Sequence, residues 1–120
     1  MIKEQRAAIA AIVIAISKKN IIQSVYSYEQ GKHVTLSGKA DAKTINLYDY
    51  DRGCHVSGNA SQNYNYSLYD YGVSAHISLE IKGTKFDGYD YKSSKHFSGT
   101  INGSSVSIYD YETGAYYQFA

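Results

Sequence analysis

Apolar and polar residues are arranged differently in the two parts of the chain, and the change comes near Ser24. Before it, residues 7–16 are all apolar, with charged residues on both sides. After it, apolar and polar residues largely alternate. A continuous apolar run of this length is typical of a helix buried on every face, whereas alternation is typical of strands that bury one face. The pattern therefore predicts a helix in residues 1–23 and a sheet in residues 24–120.

The second part of the chain repeats a Tyr-x-Tyr unit, and successive units are offset by 22, 21, 20 and 20 residues. A histidine stands five residues after the second tyrosine, except in the last unit, where Tyr116 replaces it. Repetition with a period near 20 residues predicts one supersecondary unit per repeat. The units are Tyr26-Ser27-Tyr28, Tyr48-Asp49-Tyr50, Tyr69-Asp70-Tyr71, Tyr89-Asp90-Tyr91 and Tyr109-Asp110-Tyr111.

Turn signals occur twice per repeat, so each unit is predicted to be a two-stranded hairpin. Gly31, Gly53 and Gly114 mark one set of turns, and Lys82-Gly83 and Asn102-Gly103 mark the other. Asn-Gly favours a tight two-residue connection. We therefore expect about ten short antiparallel strands, and we favour this meander over a parallel solenoid, which would not need two turns per repeat.

Pairing Ile101 with Ser104 across the Asn-Gly turn, and Tyr91 with His96 across the other turn, divides the side chains between two faces. One face carries tyrosine, histidine and serine. A three-residue loop with a glycine bulge would instead turn the tyrosines inward, but it conflicts with the Asn-Gly pairing. The other face is apolar, and its residues are Leu47, Val56, Leu68, Ile77, Leu79, Ile81, Phe86, Phe97, Ile101, Val106 and Ile108.

The helix and the sheet are each expected to bury the other. A helix that is apolar on all sides needs cover on all sides, and the apolar face of the sheet has no other partner in the chain. We therefore predict a single domain, residues 1–120, of the α+β class and mainly β. In it the sheet curls round the helix as an open wrap or a nearly closed barrel.

The repeated motif resembles the tyrosine–aspartate (YD) repeats of large shell-forming toxin proteins. The resemblance covers about 95 residues and implies repeated hairpins. It does not imply a toxin function, because the glycine comes one position early and five units are too few to enclose a passenger domain. The matching segments are Tyr28-Glu29-Gln30-Gly31, Tyr50-Asp51-Arg52-Gly53 and Tyr111-Glu112-Thr113-Gly114.

Charge and composition indicate no particular partner. The net charge of +1 gives no field that would attract nucleic acid, and the apolar run is too short to span a bilayer. Cys54 is the single cysteine, so no internal disulfide can form. No zinc-type spacing, phosphate-binding loop or hydrolase motif occurs, and we expect no metal and no cofactor. The partners left open are another protein or a second copy of the chain.

Residues 1–17 have the outline of a secretory signal peptide as well as of a helix. Glu4 among Lys3 and Arg6 weakens the positive start, and Ala15-Ile16-Ser17 is a poor cleavage site. We therefore expect an uncleaved helix and a cytoplasmic protein. Secretion is the alternative if these residues are a signal peptide.

The tyrosine and histidine face is the candidate binding surface, with each histidine expected between tyrosines of both neighbouring strands. Cross-strand aromatic pairs stabilise sheets by about 0.2–1 kcal/mol each, which explains the pattern without a ligand. The alternative is an aromatic surface that binds a flat or sugar-like ligand or a protein. The candidate residues are Tyr50, His55, Tyr69, Tyr71, His76, Tyr89, Tyr91, His96 and Tyr109.

The aspartates of the last four units are predicted to form a structural rim on the apolar face. Carboxylates at strand ends accept hydrogen bonds from turn N–H groups or complement a helix terminus; a cation-binding ring is the alternative. Because the first strand must run back along the helix, we expect the rim beside the helix N-terminus, near Lys3 and Arg6. The rim consists of Asp49, Asp70, Asp90 and Asp110.

No set of reactive residues occurs only once, as a catalytic site would. Cys54 has no evident base partner and is expected to be a small core or edge residue. We therefore expect a non-enzymatic binding or assembly module that uses the Tyr/His/Ser face or a sheet edge. The alternative is a small-molecule carrier with its ligand between sheet and helix.

Overall fold

The structure is a computed structural model that describes residues 1–120 and contains one helix and a single curled sheet of twelve antiparallel strands. The helix, α1, spans Lys3–Ser17. The strands are β1 (Ile21–Ile22), β2 (Val25–Ser27), β3 (Lys32–Val34), β4 (Leu36–Ala40), β5 (Thr44–Asp49), β6 (Cys54–Gln62), β7 (Asn65–Asp70), β8 (Ala75–Lys82), β9 (Lys85–Asp90), β10 (Lys95–Asn102), β11 (Ser105–Asp110) and β12 (Ala115–Phe119).

The helix lies inside the sheet, as the apolar run predicts. Every residue from Ala7 to Val13 is at most 1% exposed, so the helix is buried on all its faces. Burying an isoleucine such as Ile9 or Ile12 contributes about 1.5–3 kcal/mol, and the alanines between them let the strands approach the helix closely. No helix of the structure has the length and apolar character needed to cross a membrane.

The helix is shorter than the sequence indicates, ending at Ser17 rather than near residue 23. The backbone of Lys18 has left the helical region, and Asn20 adopts a positive φ of 63°. The N–H groups of both residues donate to the carbonyl of Ala15, which closes the helix end. The next two residues are β-branched isoleucines, which pair in the sheet as β1.

The first hairpin accounts for the difference between about ten expected strands and twelve observed ones. Ile22 pairs with Gly38, but Val25 pairs with Val34, so the register moves by one residue as at a β-bulge. This shift divides each strand of the hairpin into two segments. The first strand becomes β1 and β2, and the second becomes β3 and β4. Since β4 pairs with β5 and β2 pairs with β12, the sheet curls until its last strand meets its first hairpin.

The expected pairing across the Asn-Gly turn is wrong. Ile101 pairs with Val106 rather than with Ser104, and the two loop residues are Gly103 and Ser104. Gly103 has a φ of 63° and takes the first loop position, where type II′ turns place glycine. The turn therefore lies one residue further along the chain than expected.

The turns at the opposite end of the sheet lie one residue earlier in the chain than expected. Even so, every side chain is on the face of the sheet that was expected for it. The four-residue turn runs from Tyr91 to Ser94, so that His96 pairs with Tyr89 instead of Tyr91. In both turns the pairing partner changes by two positions, and a shift of two leaves every side chain on its own face. The apolar-face prediction is confirmed, because all eleven of its residues are at most 7% exposed.

Candidate functional site

Each repeat brings three aromatic side chains together on the outer face of the sheet. In the second unit the ring centroid of Tyr48 lies 4.8 Å from that of Tyr50 and 4.8 Å from that of His55. Both contacts are edge to face, the arrangement that aromatic rings prefer. The other four units repeat this cluster at 4.7–5.0 Å, with Tyr116 in place of histidine in the last.

The Tyr-x-Tyr spacing produces this cluster directly. Tyr48 is opposite His55 on β5 and β6, and Tyr50 is the first residue of the turn that joins these strands. Asp49, between the two tyrosines, points to the inner face and is fully buried. Asp49 and His55 therefore lie on opposite faces of the sheet and form no acid–base pair.

The histidines do not have the tyrosine neighbours that the expected register gives them. His55 was expected between Tyr50 and Tyr69, whereas its neighbours are Tyr48 within the hairpin and Tyr71 on the next one. The backbone N–H of Tyr71 donates to the carbonyl of His55 at 3.0 Å. The cause is the two-position difference in pairing described above. The same exchange occurs where Tyr91 donates to His76 and Tyr111 donates to His96.

The second tyrosine of every unit is exposed, and these five residues form what we call the tyrosine belt. Their exposed fractions are 55–62%, whereas the first tyrosines of the units are half-buried. The belt follows the end of the sheet at which the four-residue turns lie. It consists of Tyr28, Tyr50, Tyr71, Tyr91 and Tyr111.

Some members of the aromatic face were missing from the candidates chosen from the sequence. They occupy the same positions in the first, second and last units as the chosen residues do in the others, so the repeat itself was the signal that identifies them. They are Tyr26, Tyr28, His33, Tyr48, Tyr111 and Tyr116.

Shallow grooves beside the aromatic clusters combine rings with polar side chains. One groove of about 760 Å³ is lined by Asp87, Ser98, Thr100, Tyr109 and Tyr111, among others. A second groove of about 650 Å³ includes Asn46, Tyr48 and His55. Ring faces next to hydroxyl, amide and carboxylate groups can contact a flat ligand and hydrogen-bond to its edges.

The aspartate rim lies inside the sheet, with each carboxylate at most 1% exposed. Each aspartate accepts a hydrogen bond from the backbone N–H two residues ahead, at 2.8–3.2 Å. In the first unit Ser27 replaces the aspartate and its Oγ accepts the N–H of Gln30 at 3.3 Å. The rim residues therefore hold the four-residue turns in shape. The acceptors are Asp49, Asp70, Asp90 and Asp110.

Two arginines, Arg6, which is buried, and Arg52, whose side chain is 12% exposed, neutralise part of the rim. Arg52 donates from Nε to Asp49 at 2.8 Å and from Nη1 to Asp70 at 3.1 Å. Arg6, on the first turn of α1, donates from Nη1 to Asp110 at 2.8 Å and from Nη2 to Glu29 at 2.7 Å. Burial opposes their charge, but the hydrogen bonds and carboxylates outweigh it and raise the pKa of both arginines.

Two of the four rim residues, Asp90 and Asp110, contact the N-terminal end of the chain as expected, and of the two expected cations only Arg6 takes part. The α-amino group of Met1 lies 3.3 Å from Asp110 and 3.6 Å from Asp90. Burial would lower the pKa of this amino group, but the hydrogen bond with Glu112 and the charge of Asp110 raise it overall. Lys3 is exposed and makes no such contact.

Cys54 and the remaining ionisable groups form no evident reactive centre. Cys54 is half-buried, and burial raises the pKa of its thiol. No three His, Cys, Asp or Glu side chains come together as they would to hold a metal ion. Comparison of the chain with protein-family models, curated proteins and solved structures gave no match. The geometry of the site is therefore the basis for inferring function.

Proposed function

We propose that the chain is a non-enzymatic binding or assembly module and that its working surface is the outer aromatic face, centred on the tyrosine belt. The observation that carries this proposal is the exposure of the belt. Five large aromatic side chains are each more than half exposed at equivalent positions of five repeats. Regularly placed exposed aromatic rings are a common feature of recognition surfaces, where tyrosine is enriched.

Sheet stability alone does not require the belt. The first tyrosine of each unit, such as Tyr48, contacts both other rings of its cluster, whereas the belt residue Tyr50 makes one ring contact. That contact contributes about 0.2–1 kcal/mol, and a smaller residue at the start of the turn would leave the core unchanged. The repetition also offers several equivalent contact points, so a partner could engage more than one of them and gain avidity.

The separation of the polar groups supports a non-enzymatic role. The histidines are outside and contact tyrosine rings, whereas the aspartates are inside and bonded to arginines and turn N–H groups. The face between the turns is rich in tyrosine, serine and asparagine. We expect its partner to present a neutral surface with hydrogen-bonding groups, such as another protein or a second copy of this chain.

Sedimentation equilibrium of the wild-type chain and of a Tyr71→Ser/Tyr91→Ser variant tests this proposal. We expect the wild type to associate with rising concentration and the double variant to remain monomeric, because two adjacent belt positions lose their rings. Tyr64→Ser is the matched control, since Tyr64 is 39% exposed but lies in a turn outside the belt.

A monomeric wild type at every concentration would exclude assembly and leave binding to a different partner. The second arm is then an NMR titration with cellohexaose, a neutral ligand whose rings can stack on tyrosine. Shifts lost in the double variant and kept in Tyr64→Ser would support a binding face. No self-association together with no shifts would overturn the proposal.

The alternative, a small-molecule carrier, has less support. Ile9, Ile12 and Val13 of the helix have no exposed surface and fill the space within the sheet. Saturable binding of the apolar dye anilinonaphthalene sulfonate by the folded chain, accompanied by a higher melting temperature, would favour the carrier instead.

A further inference from the structure

Lysines are concentrated at the end of the curled sheet where the helix stops, opposite the tyrosine belt. The short turns at this end are joined to one another by backbone hydrogen bonds. The N–H of Tyr64 donates to the carbonyl of Ala42 at 2.9 Å, and the N–H of Ile101 donates to that of Thr84 at 2.8 Å. Five exposed lysines of these turns and of the helix end define what we call the lysine end: Lys18, Lys19, Lys43, Lys82 and Lys85.

Acidic side chains near the lysine end are fewer than the lysines. Asp41 accepts the backbone N–H of Lys43 at 2.9 Å and so shapes its own turn. Glu80 lies 3.4 Å from the Nζ of Lys82, and Asp87 is opposite Glu80 on the next strand. These three carboxylates do not balance the five lysines. This end therefore carries positive charge, although the net charge of the whole chain is only +1.

The stability of the fold explains only part of this charge. Lys18 and Lys19 follow the last helical residue, where cations complement the negative end of the helix dipole. Lys82 and Lys85, by contrast, are directly opposite each other on β8 and β9. Like charges in that arrangement destabilise a sheet. An anionic surface that faced this end would remove the repulsion between them.

Apolar side chains are accessible among these lysines. Ile21 is 54% exposed and lines one groove together with Lys18 and Lys19. Tyr64 is 39% exposed and, with Ile16, lines a second groove of about 280 Å³ beside the helix end. Exposed apolar side chains surrounded by polar ones mark sites of interaction with proteins or membranes. Cations in the surround favour an anionic membrane, and a tyrosine suits the boundary between its polar and apolar layers.

We propose that the lysine end docks on the surface of a membrane that contains anionic lipids. The lysines lie among the headgroup phosphates, and Ile21 and Tyr64 reach the boundary with the acyl chains. Each lysine close to such a surface strengthens binding about fivefold, so several lysines together hold the chain there. A nucleic acid would also attract the lysines, but its phosphate backbone offers Ile21 no apolar surface. The tyrosine belt lies at the opposite end, so this docking does not depend on the function proposed for the belt.

Cosedimentation of the full chain with lipid vesicles tests the charge. Vesicles of phosphatidylcholine mixed with an equal amount of phosphatidylglycerol should bind the chain, and phosphatidylcholine alone should not. Binding should be lost in about 1 M salt, where the Debye length is about 3 Å. The variant Lys82→Ser/Lys85→Ser should bind roughly tenfold more weakly or worse. Its matched control is Lys92→Ser/Lys95→Ser, which removes two exposed lysines from the next turn along the chain, at the opposite end, and should bind as the wild type does.

A second pair of variants tests the apolar contact. Ile21→Ser should weaken binding several-fold, whereas Ile2→Ser should not, because Ile2 is 44% exposed but lies at the opposite end. Melting temperatures establish that each variant is folded. The belt variant Tyr71→Ser/Tyr91→Ser should bind vesicles normally, so a failure of the proposed function would leave this site intact. No binding to anionic vesicles, undiminished binding by Lys82→Ser/Lys85→Ser or Ile21→Ser, or tighter binding to a single-stranded oligonucleotide than to vesicles would each overturn the proposal.

Discussion

The ring of Phe97 occupies the space that a side chain on Gly88 would need. The two residues are opposite each other on β10 and β9, and a Cβ added to Gly88 would lie 2.4 Å from Cζ of Phe97 and 2.1 Å from the carbonyl oxygen of Ser78. The pair Phe86 and Gly99 is arranged reciprocally, with a Cβ at Gly99 2.3 Å from Cζ of Phe86. Two glycines thus make room for two buried rings beside the helix.

Gly88→Ala should therefore lower the free energy of unfolding by about 1–3 kcal/mol, the usual cost of overpacking a core, or by more. Urea denaturation measures the change. Gly83→Ala is the control, because Gly83 has a positive φ of 62° but open space around it, so only backbone strain of about 1–2 kcal/mol is expected. If Gly88→Ala were as stable as the wild type, Phe97 would not be fixed in this position.

Arg52→Met should destabilise the fold by about 3–5 kcal/mol, because it leaves Asp49 and Asp70 as buried carboxylates without their cation. Lys32→Met is the control at the same end of the sheet: Lys32 is 3.2 Å from Asp51, but the two side chains are 54% and 32% exposed. Exposed pairs of this kind contribute about 0–1 kcal/mol. Equal effects in chemical denaturation would contradict the role given to Arg52.

Ser94→Gly should stabilise the protein by about 1 kcal/mol, because Ser94 has a left-handed backbone with φ of 59° that glycine adopts without strain. The equivalent position of the last unit is already Gly114, with φ of 67°. The reciprocal change Gly114→Ser should destabilise by a similar amount. Melting temperatures that move the same way in both variants would refute this explanation.

His76→Tyr should change the free energy of unfolding by no more than about 1 kcal/mol, since Tyr116 fills the same position in the last unit. Tyr69→Ser should cost more, because Tyr69 contacts both Tyr71 and His76, at 4.8 and 4.9 Å. Thermal denaturation of the two variants gives the comparison. A larger loss from His76→Tyr would point to a specific role for that histidine.

The raised pKa of Tyr66 predicts that the stability of the fold decreases at alkaline pH. Burial, with the nearby Tyr64 and Asp41, raises the pKa of Tyr66 from 10.0 to about 12. A folded-state pKa above the unfolded value means that the stability contributed by the neutral phenol is complete below pH 10 and is lost as the pH rises through about 12.

Tyr66→Phe lacks this titration and also leaves the carbonyl of Asp41 without its phenol donor. The variant should be about 1–3 kcal/mol less stable near neutral pH. Its deficit should shrink between pH 10 and pH 12, since only the wild type loses stability there through this group. Urea midpoints of both proteins across this range measure the difference, and a constant deficit would contradict the shift.

The faces of the sheet could be predicted from the sequence, but the pairing within it could not. Alternation assigns Leu47 and Ile108 to the core correctly as long as any error in the register is an even number of positions. The position of each turn depends on turn geometry: because Tyr50 is the first residue of the four-residue turn, Tyr48 and not Tyr50 lies opposite His55. Local sequence gives no means of choosing between these two registers.

The partners of the aspartate rim were also only partly predictable. Arg6 could be placed beside Asp110 because the chain must reverse direction after the helix. This reversal sets the N-terminal end of the helix at the end of the sheet where the rim lies. Arg52 joins Asp49 of its own turn to Asp70 of the next, which depends on how closely the curled sheet brings two turns together. The helix end near Ser17 was missed because Ile21 and Ile22 continue the apolar pattern, although β-branched residues also suit a strand.

The meeting of β12 with β2 has a consequence for how the protein folds. Every other strand pairing lies within a hairpin or between neighbouring hairpins, but this one joins Ser27 to Phe119. Closing so long a loop costs conformational entropy and is therefore slow, whereas the hairpins form from contacts between residues close in sequence. Hairpin formation should therefore come early and the junction last. In native-state hydrogen exchange, the amides of Tyr26 and Ala120 should open before those at the centre of β7 and β8.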